Sequence, residues 1–356
     1  MRVLLAGGGT AGHTSPLLAT AAALQEKSPG VQITCLGTER GLEATLIPQA
    51  GYPIEFIPAV PLPRKLGLDL LRLPFRLLAA LRKTAKIIKQ VDPDVVVGFG
   101  GYVSVPAYFV AWRRRIPIVV HEGNALPGVA NRIGVRFTKH VATSFPNTKL
   151  HNGKYIGLPM RTSITTLNRR SLQQRAREFF GLKADLPTVL VTGGSQGARS
   201  INQAMEVAAP DLAAAGIQVV HSIGRLGQVE VEPSDVPYVV IPFIERMDLA
   251  YAAADLIVCR AGANSVLETA SVGLPGVYVP LPIGNGEQAQ NAEALVTAGG
   301  GVVINDEDFT ALWIKQVLIP LAVDKTRLDA MGRAAHGLVP RDADHALAKM
   351  ILQVAT

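Results

Sequence analysis

The sequence predicts an α/β protein with two doubly wound, Rossmann-like domains. Apolar runs of strand length alternate with amphipathic segments of helix length, which is typical of βαβ units in a parallel sheet. An apolar run followed by a glycine turn occurs twice, as VLLAGGGTAGH at 3–13 and as VLVTGGSQGAR at 189–199. A chain of 356 residues also exceeds the usual size of one hydrophobic core. Each glycine turn therefore begins one domain.

The first half of the chain contains the elements of one such domain. Its strand candidates are continuous apolar runs, as expected of strands buried on both faces, and its helix candidates repeat apolar residues with helical spacing. In chain order they read RVLLAG, TSPLLATAAALQEK, QITCLGT, LEATLIPQAG, DVVVGFG and IPIVVHE.

The second half repeats this alternation. Its elements read TVLVTGG, SINQAMEVAAPDLAAAG, QVVHSIG, PYVVIPF, MDLAYAAAD, LIVCRAG, NSVLETASVG and PGVYVP. Between the halves, GLPMRTSITTLNRRSLQQ is the predicted linker, so we expect domains at 1–160 and 161–340. The last segment, 341–356, contains the helical run ALAKMILQVA, which could pack on either domain.

Polar residues follow the predicted strands at the edge where such folds bind ligands. In an open parallel sheet, ligands lie beyond the carboxyl ends of the strands. The candidate positions are His13, 100–104, 121–124, 195–199, 260–265 and 287–290. Two sheets with these edges facing each other would enclose a central cleft.

The first glycine turn, Gly7 to Gly12, has the G-x-G-x-x-G pattern of dinucleotide-binding proteins. The acid expected about 20 positions later is at best Glu39, and the second turn has Ser195 in place of the middle glycine. Backbone N–H groups and the helix dipole could hold a diphosphate at each turn. Alternatively, the glycines only allow a strand to turn tightly into a helix. A nucleotide-dependent oxidoreductase rests on this pattern alone.

Two residues are candidate general bases. His13 ends the first glycine turn, and an imidazole accepts a proton near neutral pH, although a lone histidine is often structural. Glu122, in HEGN at 121–124, is the rival. The DPD at 92–94 resembles a metal-binding D-x-D, but it precedes its strand. We therefore expect neither a metal site nor a cofactor.

The basic segment 64–90 accounts for the net charge of +7, because it holds eight Lys or Arg and one acid, Asp69. Its apolar side chains predict insertion into an anionic membrane surface, with the cations meeting the headgroups. An ordinary core helix is the alternative. The candidate membrane residues are Phe75, Leu78, Arg82 and, in the cluster WRRR, Trp112.

Other partners and locations are constrained by what the sequence lacks. No recognition motif or interleaved aromatic residues support nucleic-acid binding, so no nucleic-acid partner is expected. No uninterrupted apolar stretch reaches about 18 residues, and the N-terminus lacks the features of a signal peptide. We therefore expect a cytoplasmic protein that does not span the membrane.

Taken together, the motifs resemble one family over essentially the full chain. They are GGTAGH (8–13), GFGGYVSVP (98–106), HEGN (121–124), GLPMR (157–161), GGSQGA (193–198), CRAGANSVLE (259–268) and EQAQNA (287–292). The chain resembles the bacterial MurG-type transferases. The resemblance implies a GT-B fold and inverting transfer of GlcNAc from UDP-GlcNAc to the C4 hydroxyl of MurNAc-pentapeptide in lipid I, giving lipid II at the cytoplasmic face of the membrane.

The resemblance also implies roles for individual residues. It makes His13 the candidate base, faces the first glycine turn toward the lipid diphosphate, and assigns the UDP diphosphate to the second turn and the helix starts after residues 195 and 263. Glu268 resembles the acid that accepts ribose hydroxyls. The remaining candidate substrate-binding residues are Thr10, Ala11, Gly12, Asn124, Arg161, Ser195, Gln196, Ile244, Asn264, Ser265 and Gln288. A UDP-GlcNAc epimerase of similar fold and a non-enzymatic membrane-surface adaptor remain alternatives.

Overall fold

The computed structural model describes residues 1–60, 68–282 and 286–355, and only the backbone of 68–72. The described chain forms two compact units. The first unit comprises Met1–Arg161 together with Pro340–Thr356, and the second comprises Thr162–Val339.

A parallel seven-stranded sheet forms the centre of the first unit. Its strands are β1 (Arg2–Ala6), β2 (Gln32–Gly37), β3 (Ile54–Phe56), β4 (Val95–Gly98), β5 (Ile118–Glu122), β6 (Val141–Thr143) and β7 (Gly153–Tyr155), in the order β3-β2-β1-β4-β5-β6-β7. Its helices are α1 (Ala11–Lys27), α2 (Glu43–Gln49), α3 (Leu68–Val91), α4 (Ser104–Arg113) and α5 (Val129–Gly134).

The second unit contains a parallel six-stranded sheet. Its strands are β8 (Thr188–Thr192), β9 (Gln218–Ser222), β10 (Tyr238–Ile241), β11 (Leu256–Cys259), β12 (Gly276–Tyr278) and β13 (Gly301–Val303), in the order β10-β9-β8-β11-β12-β13. Its helices are α6 (Thr162–Thr165), α7 (Arg169–Phe179), α8 (Arg199–Ala214), α9 (Met247–Ala253), α10 (Ala263–Ser271), α11 (Glu287–Thr297), α12 (Ala311–Trp313), α13 (Ile319–Val323) and α14 (Lys325–His336), with a π-helical turn at Ile314–Leu318.

These two sheets confirm the predicted α/β class with two Rossmann-like units. Strands β3, β6, β7 and β13 were not predicted, because each is a three-residue strand whose apolar run is too short to stand out. Most of the stretch expected to be a linker is helical instead. Arg169 ties it to the second unit by donating to the backbone carbonyls of Tyr251, Gly273 and Ala254.

The C-terminal helix α15 (Ala343–Ala355) packs in the first unit. Its buried residues Leu347 and Ile351 lie in the same apolar cluster as Leu17 and Leu24 of α1. Burial of these side chains, at roughly 1.5–3 kcal/mol each, fixes the chain's end to the domain in which it began.

Each sheet has one point where the strand order reverses direction. In the first unit β1 lies between β2 and β4, and in the second β8 lies between β9 and β11. Ligands of doubly wound sheets bind beyond the carboxyl ends of the strands at this point. Both glycine turns leave β1 and β8 there, so the fold places each turn at the expected ligand position of its unit.

Candidate active site

The first glycine turn connects β1 to α1 and holds His13 in one orientation. The Nδ1 atom of His13 lies 3.0 Å from the carbonyl oxygen of Gly8 and 3.3 Å from the Oγ1 atom of Thr10. A backbone carbonyl is only an acceptor, so Nδ1 carries the ring hydrogen and donates it to Gly8. The other ring nitrogen, Nε2, therefore has an unprotonated lone pair in the neutral ring.

The loop after β4 packs closely against this turn. Gly101 has a φ of +76°, and a Cβ atom at this position would lie 2.6 Å from the Gly8 carbonyl oxygen. A Cβ atom on Gly100, which has a φ of +96°, would lie 3.0 Å from Nε2 of His13. The Ser104 hydroxyl fixes the loop, since its single hydrogen is shared between the Gly100 carbonyl oxygen at 2.8 Å and the Ala6 carbonyl oxygen at 3.1 Å. Glycines at these two positions therefore allow the loop to approach the imidazole.

A buried carboxylate, Glu43, lies behind the same turn. Its Oε2 atom accepts the Gly9 N–H at 2.8 Å, and its Oε1 atom accepts the Thr38 N–H at 3.0 Å and the Thr38 hydroxyl at 2.8 Å. The interpretation in which the N–H groups of this turn hold a diphosphate therefore does not extend to Gly9, whose N–H is bonded to Glu43. Glu43 was not among the predicted site residues, and Glu39, the acid that the sequence suggested, is exposed.

The loop after β5 is organised by Glu122. This buried carboxylate accepts the backbone N–H groups of Asn124 and Gly128, each at 2.9 Å, and the side-chain amide of Asn131 at 3.0 Å. The Asn124 side chain lies 3.5 Å from the same carboxylate. Both carboxylate oxygens are thus already used to shape the loop.

His121 precedes Glu122 in β5 and is fully buried. Its Nε2 atom lies 3.0 Å from the Ser144 hydroxyl, and its ring packs on Phe99 at a centroid distance of 5.5 Å. Burial, and to a smaller extent His13, lowers the pKa of His121 from 6.5 to about 3. His121 is therefore a neutral, structural side chain at physiological pH.

The second glycine turn connects β8 to α8 and carries Ser195 and Gln196. Gly194 and Gly197 have positive φ values of +89° and +78°. A Cβ atom on Gly197 would lie 2.1 Å from the Ile223 carbonyl oxygen, so this turn requires glycine. Helix α8 starts after Ala198, whose side chain has no acceptor for the first N–H groups. These features are typical of an anion site at a helix N-terminus.

Helix α10 begins beside that turn because β11 neighbours β8. Its preceding residue is Gly262, which likewise cannot cap the helix with a side chain. Asn264 and Ser265 lie in the first turn and are partly buried. Glu268 is buried, and its Oε2 atom accepts the Tyr251 hydroxyl hydrogen at 2.8 Å. That bond fixes the position of the carboxylate.

Arg260 connects these loops; it belongs to the candidate positions at 260–265, but the sequence indicated no individual role for it. It forms an ion pair with Asp306 and donates to the Ser200 hydroxyl at 3.0 Å, while Ser200 donates to Asp306 at 2.6 Å. Ser200 lies in the first turn of α8. The network therefore connects the end of β11 to the start of α8.

The other predicted substrate residues occupy separate positions. Thr10, Ala11 and Gly12 lie at the start of α1, where a Cβ atom on Gly123 would be 3.9 Å from the Gly12 carbonyl oxygen. Gln288, in the first turn of α11, accepts the Leu281 N–H at 2.9 Å. Ile244 is buried before α9, and Arg161 is exposed at the end of the first unit.

The candidate membrane residues are on the surface of the first unit. Phe75, Leu78 and Trp112 have exposed fractions of 76%, 43% and 49%, and Arg82 is exposed. Phe75, Leu78 and Arg82 share one face of α3, since their spacing is three and four residues. The opposite face buries Ala80, Thr84, Ile87 and Ile88. Residues 64–67 of the predicted basic segment lie outside the described residues.

No helix of the described chain is long and apolar enough to cross a bilayer. Within the described ranges there is also no group of three His, Cys, Asp or Glu that could hold a metal ion. The DPD carboxylates bind Arg2 instead: Asp92 lies 2.8 Å from its guanidinium and Asp94 accepts its backbone N–H at 2.7 Å.

Two family models match the chain. Residues 3–143 match the glycosyltransferase family 28 N-terminal domain, and residues 188–347 match the glycosyltransferase family 28 C-terminal domain. Together they span the glycine turns and the loops described above.

Relatives match over nearly the whole of both chains. A Nocardioides protein named UDP-N-acetylglucosamine–N-acetylmuramyl-(pentapeptide) pyrophosphoryl-undecaprenol N-acetylglucosamine transferase is 59% identical, covering 99% of this chain and 98% of its own. The Thermobifida fusca protein of that name is 53% identical, covering 100% and 94%. The crystal structure of Acinetobacter baumannii MurG superposes with a TM-score of 0.78 at 30% identity, covering 99% of both chains.

Proposed function

The chain belongs to glycosyltransferase family 28, and from this premise we propose that it transfers GlcNAc from UDP-GlcNAc to lipid I, the undecaprenyl-diphospho-MurNAc-pentapeptide. The product is lipid II, a precursor of peptidoglycan. The observation that carries this proposal is the similarity, over nearly the whole of both chains, to relatives named for that transfer. Neither the epimerase nor the adaptor alternative receives comparable support.

His13 is the proposed general base of the first unit. Its Nδ1 hydrogen is directed to Gly8, so Nε2 can accept a proton. As the C4 oxygen of MurNAc bonds to C1 of GlcNAc, its proton passes to Nε2 and the electron pair of the C1–O bond leaves with UDP. Attack opposite the leaving group converts the α-linked donor to a β-linked product. The imidazolium later releases the proton to water.

Glu122 is the weaker candidate for the same role. Its oxygens already accept N–H groups from Asn124, Gly128 and Asn131. A base must present a free lone pair to the hydroxyl that it deprotonates. We therefore assign to Glu122 the task of holding the 121–128 loop in shape.

The second unit is the proposed donor-binding unit. Backbone N–H groups around Ser195 and Gln196, and those at the start of α10 near Asn264 and Ser265, would hold the UDP diphosphate. The positive ends of these helices stabilise the charge that develops on the departing diphosphate, so the protein itself supplies electrostatic catalysis. Glu268, fixed by Tyr251, is the proposed acceptor for ribose hydroxyls.

The first unit is also the proposed acceptor-binding and membrane-facing unit. The support is the exposed apolar face of α3, with Phe75 and Leu78 beside Arg82, and the exposed Trp112 on α4. Apolar side chains enter a lipid interface while cations meet anionic headgroups, each cation contributing about 1 kcal/mol. We propose a peripheral protein of the cytoplasmic membrane face, where its lipid-linked acceptor lies.

The transfer can be tested with labelled UDP-GlcNAc and a lipid I analogue, followed by product analysis. The expected products are UDP and a β-linked disaccharide on the lipid, formed only when both substrates are present. A new sugar nucleotide formed without acceptor would identify an epimerase. No release of UDP with the acceptor present would contradict an enzymatic role in this transfer.

A further inference from the structure

Glu43 and His13 form hydrogen bonds with opposite ends of one peptide group. The Gly9 N–H donates to Glu43 Oε2 at 2.8 Å, and the Gly8 carbonyl oxygen lies 3.0 Å from His13 Nδ1. The Gly8 carbonyl and the Gly9 N–H belong to the same planar amide between these two residues. The chain of contacts is therefore carboxylate, amide N–H, amide C=O and imidazole N–H.

The surroundings of Glu43 are built to hold a carboxylate at this place. A Cβ atom on Gly8, Gly37 or Gly41 would lie 2.2, 2.7 or 1.9 Å from an atom of the Glu43 side chain. The carboxylate is buried, and the two N–H groups that point to it can only donate. An ionised carboxylate, which only accepts, satisfies both of them together with the Thr38 hydroxyl.

We propose that Glu43 is a positioning residue that acts on His13 through the Gly8–Gly9 peptide group; this inference rests on the proposed function of His13 as the base. Hydrogen bonds in a chain polarise one another, and the effect is larger away from water. The negative carboxylate on the N–H end increases electron density on the Gly8 oxygen. This strengthens the Nδ1–H bond, fixes the tautomer with a free Nε2, and stabilises the imidazolium formed during transfer.

The chemistry is that of a carboxylate and histidine pair with an amide placed between them. A carboxylate or backbone carbonyl bonded to one imidazole nitrogen commonly fixes the ring and raises the basicity of the other nitrogen. Here the two kinds of partner act in series. Among the titratable side chains on the neighbouring elements, burial keeps His121 neutral, the oxygens of Glu122 bind its own loop, and Tyr102 on the loop after β4 is exposed.

The test compares Glu43→Gln with Glu39→Gln in the transfer reaction between pH 5 and 9. Both changes remove one carboxylate from the region after β2, but Glu39 is exposed. We expect Glu43→Gln to lower kcat about 10-fold, in the range typical of residues that orient a reacting group through another residue. Its acid limb in the profile of kcat against pH should move to lower pH, with the KM for UDP-GlcNAc unchanged. Glu39→Gln should match wild type in all three quantities.

The two residues are then combined in a double-mutant cycle. If Glu43 acts through His13, Glu43→Gln causes no further loss of kcat in a His13→Ala background. A full additional 10-fold loss in that background, or an acid limb that does not move, would overturn the proposal.

A measurement on the wild-type protein separates this inference from the proposed function and from any folding defect. In ¹⁵N NMR of labelled histidines, neutral His13 should carry its hydrogen on Nδ1, whether or not the protein transfers GlcNAc. A hydrogen on Nε2 would overturn the proposed action of Glu43 on His13 even if transfer is normal. Absence of transfer with the Nδ1–H form present would count against the proposed function alone.

Discussion

Glu122 Oε2 lies 2.9 Å from the backbone nitrogen of Gly128 and so closes a loop between residues six positions apart. The same carboxylate accepts from Asn131, which in turn accepts the Tyr108 hydroxyl hydrogen at 2.8 Å. Tyr108 is buried between Gly98 and Gly134, where any Cβ atom would collide with its ring. The loop after β5 is therefore anchored to the core through a polar network.

We expect Glu122→Ala to destabilise the first unit by about 2–3 kcal/mol, because buried N–H donors lose their acceptor. Chemical unfolding monitored by Trp112 fluorescence, in a Trp313→Phe background, measures this. Glu122→Gln should cost less, since an amide oxygen replaces one acceptor. An unfolding free energy unchanged in both variants would contradict the assigned role of the carboxylate.

His13→Ala should lower kcat by about 100-fold or more, the range of lost general-base catalysis. The affinity for UDP-GlcNAc, measured by calorimetry, should change little because the proposed donor site lies in the second unit. Replacement of the exposed His151 by Ala is the control and should leave both quantities at wild-type values. Wild-type turnover by His13→Ala would remove this residue from the mechanism.

Gly101→Ala should disturb catalysis more than Gly216→Ala, the same substitution at a glycine with a similar positive φ. Gly101 and Gly216 have φ values of +76° and +69°, but only at Gly101 would the new methyl group meet a backbone atom, the Gly8 carbonyl oxygen at 2.6 Å. Each substitution costs about 1–2 kcal/mol of backbone strain. We expect kcat to fall about 10-fold for Gly101→Ala alone, through displacement of the His13 acceptor. Equal kcat values for the two variants would refute this explanation.

Replacing both Phe75 and Leu78 by Ser should weaken binding to anionic vesicles by about 100-fold or more, because burying each apolar side chain in the lipid interface contributes about 1.5–3 kcal/mol. Cosedimentation with phosphatidylglycerol vesicles measures the effect. Activity on a short-chain soluble acceptor should be intact. Val207→Ser changes an apolar side chain of the second unit with an exposed fraction of 69% and should bind as wild type. Equal losses with both acceptors would indicate packing residues instead.

The second unit should lose stability as the pH falls from about 6.5 to about 4. His221 is buried, with Nδ1 2.9 Å from the Tyr238 hydroxyl and Nε2 3.1 Å from Asn202, and burial lowers its pKa from 6.5 to about 4. Between these values the unfolded chain binds a proton that the folded chain does not. The free energy of unfolding therefore falls by up to about 1.4 kcal/mol per pH unit.

This prediction is checked by unfolding at several pH values, followed by Trp313 fluorescence in a Trp112→Phe background. His221→Gln should flatten the dependence over that interval, whereas His151→Gln, at an exposed position, should not. A slope that is the same with and without His221 would show that other groups cause the loss.

The sequence was sufficient for the features that depend on local pattern. Continuous apolar strands, helix-length amphipathic segments and two glycine turns predicted both Rossmann-like units, because each signal lies within about 15 neighbouring residues. The motifs likewise selected His13 and the glycine turn around Ser195 as candidate site positions. Strands β3, β6, β7 and β13 could not be found in this way, since their pairing partners, rather than their own residues, define them.

The sequence alone determined two glycine turns, each following a buried strand and opening a helix. Only the tertiary structure decided what each turn contacts. Glu43 meets Gly9 across 34 positions, and α15 returns to α1 across more than 300, because strand order and side-chain burial bring distant segments together. A buried carboxylate must find donors wherever the fold supplies them, and no spacing rule in the chain specifies that one of those donors, the Gly9 N–H, lies in the turn that ends at His13.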